Sequence, residues 1–476
     1  MSRATQFAIL GAGPAGLGAA WLLRKHQHGD VAVVERAAQV GGLASSFTLA
    51  DVPVDFGSHR LHPSCEPRVM NDIKSLLGDD LLDRPRHGRI RLRGKWIHFP
   101  LKPIDLVLHL PWGFAWGAAL DSVGKVLGRR SAQMNGHESF ATVLMQGLGP
   151  TICRDFYFPY AHKIWGAAPE ELSAIQARRR VKAGSITKLL AKVASAVPGL
   201  KPRGAGRFFY PRRGYGQICS AYAQAARDGG ATFHMESTVE EIAVSPGGMK
   251  LTISGQAGRQ ELAADQVWST IPLTQLAKAI RPAAPAGVLA AAERMQFRSM
   301  VLLYVVLGQR QFTEFDAHYF PGQDIPFTRM SEPRNYCNIS EPPDRTVLCA
   351  ELPCREGDRY WNMPEQDLAE LLKSSLAELD LPVRSTVEAV QVRRIRHAYP
   401  IYYHGYEASF ARIDEWLATV PNLLSLGRQG LFAHDNTHHT LAMAYAAVDC
   451  LNSEGAFDRS RWADCRKAFE KHVVED

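Results

Sequence analysis

The chain has 476 residues, 46% hydrophobic and 22% charged, an ordinary globular composition long enough for two or more domains. Its net charge of +7 suits an anionic small-molecule substrate or a membrane surface, and no basic run interleaved with aromatics suggests a nucleic-acid groove. Eight scattered cysteines form no CxxC and no metal-ligand spacing, which predicts reduced thiols in a cytoplasmic protein.

The first predicted element is FAIL (7–10), a short apolar run read as a buried parallel strand that begins too early to leave room for a signal peptide. Gly11, Gly13 and Gly16 follow as GxGxxG, and Ala15 to Arg24 continues as a helix with small residues facing the strand. Gly11 permits the tight turn, and Gly13 lets the backbone approach a pyrophosphate. Gly16 lets the helix pack closely on the sheet, with the helix N-terminus facing the phosphates. The second strand, VAVVE (31–35), ends in Glu35, 19 residues after Gly16, where a carboxylate accepts the hydroxyls of an adenosine ribose. Arg36 and the pair Gly41–Gly42 then complete the run E-R-x-x-x-x-G-G-x-x-x-S.

Further along, GRIRLRGKWIHFP (88–100) reads as a β-hairpin turning at Arg93–Gly94–Lys95, with Arg89, Arg91 and Arg93 on a solvated face. IDLVLHLPWGFAWGAAL (104–120) is too short and too broken to span a bilayer. It reads as a buried or partly buried helix pair, with an interfacial membrane helix as the alternative. KLLAKVASAV (188–197) reads as a basic helix and GLKPRGAG (199–206) as a linker. ESTVEEIAV (236–244) is a strand that sets Val239 against an adenine, and KLTIS (250–254) is another strand. ADQVWSTIPLTQL (264–276) is a strand running into a turn at Pro272, and MVLLYVVLG (300–308) is a strand of the intervening segment. NLLSLGRQG (422–430) is a strand ending at Gly427–Arg428, followed by a helix from about His438 to Leu451 whose N-terminus points to the same cofactor. His434, His438 and His439 lack a carboxylate pattern and include an adjacent pair, so no metal site is expected.

The double-glycine run resembles the extended fingerprint of FAD proteins of the glutathione-reductase-like, amine-oxidase-type class, which also includes protoporphyrinogen-oxidase-like flavoproteins. The resemblance implies an α/β fold, with a Rossmann-like FAD-binding domain discontinuous over 1–80, 205–290 and 416–476. A mixed α+β substrate domain would be inserted as 81–204 and 291–415. The implied cofactor is FAD, with NAD(P)H as a candidate reductant. Its implied contacts are Gly11, Gly13, Ala15, Gly16, Glu35, Arg36, Gly42, Leu43, Ser58, His59, Val239, Gly427, Arg428, Asn436 and Thr437.

A narrower resemblance, to UDP-galactopyranose mutases, runs in order through VDFGSHRLHP (54–63), GKWIHFPLKP (94–103), FYFPYAHKIWGAAPEELSAIQARRRV (156–181), FFYPRRGYGQI (208–218), HAYPIYYHGYE (397–407) and GRQGLFAHDNTHHT (427–440). It implies a reduced flavin whose N5 attacks the anomeric carbon of a nucleotide sugar, displaces the diphosphate and lets the ring reclose as a furanose. It places His59 beside the flavin ring, Arg180, Arg329 and Tyr399 at the diphosphate, and Arg428 at the flavin. The match departs from the family at the reacting end. His434 stands where the family has a diphosphate-contacting tyrosine, Thr437 and His438 replace its usual residues, and Ser58 replaces a glycine. The alternatives are an oxidase or desaturase of the amine-oxidase or protoporphyrinogen-oxidase type, which a membrane-apposed apolar substrate would suit, and a non-catalytic flavin-binding protein.

Overall fold

The computed structural model describes residues 5–100, 105, 109, 112–126, 138–180, 206–256, 258–337 and 340–474. Strand β1 (Thr5–Leu10) lies in an eight-stranded sheet, parallel to β2 (Val31–Val34) on one side and to Gly258–Ser269 on the other. Phe7–Leu10 of β1 and all of β2 are apolar and buried on both faces, as parallel strands covered by helices must be. Helix α1 (Pro14–Lys25) covers one face. Its small residues let it sit close to helix Thr437–Asp449, where a Cβ on Gly18 would lie 3.1 Å from Leu441. Strands Thr238–Ser245 and Gly248–Gly255 extend the sheet, and Leu423–Ser425 adds in parallel to the end of Gly258–Ser269.

The second sheet has seven strands, and its long buried strand Phe297–Leu307 lies between the edge strand Val387–Pro400 and Thr346–Cys354. This strand alternates between two cores. Val301, Leu303, Val305 and Leu307 pack with Leu368, Leu372 and Leu376 of helix Glu365–Glu378. Met300, Leu302, Tyr304 and Val306 pack instead with Val52 and Val54 of the small hairpin Ser46–Leu49/Val52–Asp55. Each buried aliphatic side chain contributes about 1.5–3 kcal/mol, so both faces are held firmly. The hairpin is thus fixed on the second sheet, and Phe56, Ser58, His59 and Arg60 of the loop after it line a cavity.

Two segments cross the divisions expected from the sequence. Leu81–Pro85 pairs antiparallel with Arg207–Pro211, and helix Tyr406–Thr419 puts Ile413 and Leu417 into the core of the first sheet. The 88–100 hairpin forms with its turn at Arg93–Gly94, but its arginines are not simply solvated. Arg89 lies 4.2 Å over Trp96 and 4.5 Å over Phe315, and Arg93 pairs with Asp155 at 2.7 Å. Within the 104–120 stretch, helix Trp112–Val126 is partly buried: Phe114 and Ala118 pack inward, whereas Trp112, Trp116 and Leu120 are exposed. The predicted basic helix 188–197 lies outside the described residues, as does all of the predicted linker except Gly206. Among the described residues, no helix is long and apolar enough to cross a membrane.

Candidate active site

A cavity of about 670 Å³ runs between the two sheets, and the GxGxxG turn forms one end of it. Gly11 has φ +99°, and a Cβ there would stand 2.5 Å from Thr270 Oγ1. A Cβ on Gly16 would stand 2.0 Å from the Gly11 carbonyl oxygen, so only glycine lets α1 turn this tightly onto β1. Gly13 differs from both, because no protein atom lies within 4 Å of where its Cβ would be. Its bare backbone faces the cavity at the N-terminus of α1. Gly41 donates its N–H to the Ala12 carbonyl at 2.7 Å, which brings Gly42 and Leu43 to the same wall. The Glu35 carboxylate is fixed by the N–H groups of Ala12 (2.8 Å) and Ala37 (2.9 Å), each on a separate oxygen. Arg36 and Val239 line this end too.

The N-terminus of helix Thr437–Asp449 borders the middle of the cavity through Asn436, Thr437 and Thr440. Asn436 and His439 cap that helix reciprocally. Two helix N-termini thus present positive dipole ends to one cavity, an arrangement that favours bound anionic groups.

The far end is made of side chains. Loop 56–60 is anchored by buried Asp55, which accepts from Tyr210 Oη (2.6 Å), the Tyr215 N–H (2.8 Å) and Ser46 Oγ (2.5 Å). Tyr304 Oη also donates to its carbonyl at 2.6 Å. His59 stacks on Tyr215, with ring centroids 5.2 Å apart, and its Nε2 lies 3.0 Å from the Phe56 carbonyl oxygen. Burial lowers the His59 pKa against the pull of nearby Asp55, so the ring is neutral at neutral pH. Ser58 bonds Tyr336 Oη through its hydroxyl and donates its N–H to Glu351 Oε1 at 2.8 Å.

Glu351 also holds Arg329 in a bidentate pair, at 2.9 and 3.0 Å, with the two residues directly opposite on neighbouring strands. Arg60 follows the same logic, giving Nη2 to Asp316 (3.1 Å) and Nη1 to Tyr319 Oη (3.0 Å). Burial works against the Arg60 charge, but Tyr319, Tyr336 and Asp316 outweigh it and raise its pKa. Lys163 donates to the carbonyls of Phe320 (2.5 Å) and Phe327 (3.1 Å), bracing the loop before Arg329, and burial pushes its pKa down to about 7. Arg428 donates to the carbonyls of Ala398 (2.8 Å) and Asp435 (3.2 Å) and lies 5.2 Å over the Tyr399 ring. His434, 2% exposed, sits in an aromatic chamber with Tyr399, Tyr402 and Trp165.

Most residues singled out in the sequence line this one cavity: Gly11, Gly13, Ala15, Glu35, Arg36, Gly42, Leu43, Ser58, His59, Val239, Arg329, Tyr399, Arg428, His434, Asn436 and Thr437. Gly16 and Gly427 do not line it. Gly16 sits under Gly11, and Gly427, at φ +79°, would put a Cβ 2.8 Å from that of Ala15, so both act by close packing. Arg180 ends helix Ala174–Arg180, and its side chain lies outside the described residues. Arg329 is present, but its guanidinium fork is turned to Glu351 rather than left open to a ligand.

The sequence reading missed Glu351, Arg60, Arg86, Tyr215 and Asp435, which all line the cavity. One signal was legible: a lone glutamate within the otherwise apolar run TVLCAELPC is costly to bury without a partner. It also missed the C-terminal tail. His472 Nδ1 lies 3.3 Å from Asp435 Oδ1, its ring stacks on His439 at 4.2 Å, and Val474 reaches the cavity wall. The donor atoms of Asp435, His439 and His472 lie within 4.8 Å of one another. The two imidazoles are stacked nearly parallel, at 14°, so their in-plane lone pairs run side by side instead of converging on one point.

Residues 14–447 match the family described as flavin containing amine oxidoreductase. Among solved structures, a reduced UDP-galactopyranose mutase superposes with a TM-score of 0.78 at 20% identity, covering 94% of this chain and 93% of that one. A candidate protoporphyrinogen oxidase from Exiguobacterium sp. 255-15 gives 0.71 at 16% identity, with 94% and 98% covered. Cyclohexylamine oxidase from Brevibacterium oxydans IH-35A gives 0.63 at 18%, with 93% and 99% covered. At these identities the likeness is one of fold.

Proposed function

The chain belongs to the flavin-containing amine oxidoreductase family and is an FAD-dependent enzyme, and from that premise we propose that it acts on an anionic, nucleotide-linked sugar, in the manner of a pyranose–furanose mutase. The residues present fit FAD. The open backbone at Gly13 and the α1 N-terminus suit a diphosphate, Glu35 suits a ribose, and the dipole of helix Thr437–Asp449 suits the flavin. When bound, the flavin supplies the reactive centre, as a nucleophile toward an anomeric carbon or as a hydride acceptor.

The protein's own residues do the rest. In this reading His59, neutral and stacked on Tyr215, shapes the wall beside the flavin without adding charge. Tyr399 and His434 flank the sugar, and Arg428 supplies positive charge behind Tyr399. The observation that carries the reading is the cationic bias of the far wall. Arg60, Arg86, Arg329 and Arg428 border it, with Glu351 and Asp435 as the carboxylates that line it and Asp316 behind Arg60. Such a wall favours a diphosphate over an amine, whose ammonium it would repel.

A second reading, an oxidase-type enzyme, is favoured by one specific contact: the Arg329 fork is already filled by Glu351, which leaves fewer free donors for a diphosphate. The experiment that separates the two measures product and oxygen together on the FAD-loaded enzyme, with and without dithionite. Activity that needs reductant and consumes no oxygen supports the first reading, and product formed in proportion to oxygen supports the second. Uridine diphosphate should also perturb the flavin spectrum. If no nucleoside diphosphate does so, the substrate is not a nucleotide sugar.

A further inference from the structure

Beside the 88–99 hairpin, helix Trp112–Val126 presents Trp112, Trp116 and Leu120 at a spacing of four residues, which puts them along one helix face. They are large hydrophobic side chains that stand 77%, 62% and 66% exposed. The opposite face is the packed one: Phe114 and Ala118 join a core with Phe140, Leu144 and Trp165, and a Cβ on Gly117 would lie 2.6 Å from Thr151 Oγ1. Asp121 is turned inward to accept the Thr151 N–H at 2.8 Å, so it puts no free negative charge beside the apolar face. Scattered single hydrophobics need no explanation, but two tryptophans and a leucine in one stripe do.

The neighbouring element is the 88–99 hairpin. A Cβ on Gly113 would lie 3.5 Å from Arg93 Nη1, so the hairpin tip abuts the start of the helix. Cross-strand register puts Arg89 opposite His98 and Arg91 opposite Trp96, and opposed residues share a sheet face. This region frames an open cavity of about 380 Å³ whose ionisable lining is Arg89, Arg91, Lys95, His98 and His109, with Asp105 as the one carboxylate. Asp105 is itself held by the His98 N–H at 2.7 Å and lies 3.0 Å from His109. An exposed aromatic stripe beside a cationic pocket has two complementary parts: a surface that prefers a hydrocarbon boundary, and a site for a phosphate-bearing headgroup.

We propose that this face docks the enzyme on an anionic lipid bilayer, with Trp112, Trp116 and Leu120 entering the interface and the hairpin cations meeting the headgroups. Among the described residues no helix is long and apolar enough to cross a bilayer, and the proposed contact is a peripheral one. A protein partner is the weaker fit, because the pocket's charge is predominantly cationic and the apolar part is a narrow stripe rather than a broad patch. The proposal holds for either chemistry in the cavity.

The test uses the FAD-loaded protein and phosphatidylcholine vesicles with and without phosphatidylglycerol. Co-sedimentation is expected with the anionic vesicles and should weaken as salt shortens the screening length. W112S/W116S should lower partitioning about tenfold or more at low salt, since it removes both aromatic anchors from the interface. R91Q/K95Q should weaken it and flatten its salt dependence, and brominated lipid should quench wild-type tryptophan fluorescence more than that of W112S/W116S. Four results would overturn the proposal. These are no binding to anionic vesicles at low salt, binding that both variants leave unchanged, a dimer in sedimentation velocity that W112S/W116S abolishes, or no loss of acrylamide-accessible fluorescence in W112S/W116S. The third makes a second copy the occupant, and the fourth makes it another segment of the chain.

Discussion

At the Glu35 end of the cavity, the contacts that fix the Glu35 carboxylate and the glycine turn join residues near in sequence: Glu35 takes its side-chain donors from Ala12 and Ala37, and Gly41 bonds Ala12. The long-range bonds there, such as the Glu35 N–H to the His234 carbonyl, are between backbone groups of neighbouring strands. At the Arg329 end, the polar contacts join residues far apart: Ser58 to Glu351 across 293 positions, Ser58 to Tyr336 across 278, and Arg60 to Asp316 across 256. The first end is mostly backbone, with glycines where a Cβ would collide or would fill the cavity. The second is mostly side chains held by ion pairs and buried hydroxyls. A backbone cradle accepts the same ligand in any member of the fold, whereas paired side chains can be exchanged singly and so set what each member accepts. This is the physical reason that the family assignment reaches the cofactor more surely than the substrate.

The sharpest way to break the comparison is at Glu351. Glu351→Ala leaves the Arg329 guanidinium and the Ser58 N–H without their carboxylate in a site where Glu351 is 4% exposed, and should cost about 3–5 kcal/mol in denaturant unfolding. A cost below about 1 kcal/mol would mean that the pair opens readily and that Arg329 is free to hold a ligand.

The next effect separates two glycines of one motif. Gly16→Val forces a side chain against the Gly11 carbonyl and should destabilise the apoprotein by about 1–3 kcal/mol. Gly13→Ala meets no protein atom and has an ordinary φ of −77°, so apoprotein stability should stay within about 0.5 kcal/mol. FAD retention should nevertheless fall roughly tenfold, because the new methyl group occupies the approach of the diphosphate. Equal behaviour of the two variants in melts and flavin content would erase the distinction between a packing glycine and a ligand-facing one.

The smallest effect concerns pH. Burial lowers the pKa of His318 well below its ordinary value, and lowers that of His59 against the pull of Asp55; both lie in the part of the molecule around the far end. A histidine with a depressed folded-state pKa takes up its proton first in the unfolded chain. Its stabilising contribution is therefore present above an unfolded pKa of about 6.5 and lost as pH falls below it. Between about pH 7.5 and 5.5, His318 should account for about 1 kcal/mol of lost stability. His318→Gln should flatten the acid limb of a melting-temperature profile by that amount, and an unchanged acid limb would place the sensitivity elsewhere.

How much of the site was legible follows the same division. The run from FAIL through GAGPAG to Glu35, Arg36 and Gly42 sets strand, turn, helix and acidic strand end by local rules: an apolar run buried on both faces, glycines at positive φ or close approach, and a carboxylate at the strand end. The resemblance carried over the chain added His59, Tyr399, Arg428 and His434, all of which reach the cavity. Tertiary structure alone decided how those side chains are engaged. Sheet register sets Arg329 opposite Glu351, folding of the tail brings His472 to Asp435, and the hairpin pleat stacks Arg89 on Trp96 instead of leaving it in water. Helical and strand periods are fixed within a few residues by backbone sterics and can be read from a short window. Pairing of a buried charge is fixed by which strands become neighbours, and that depends on the burial of the whole chain at once.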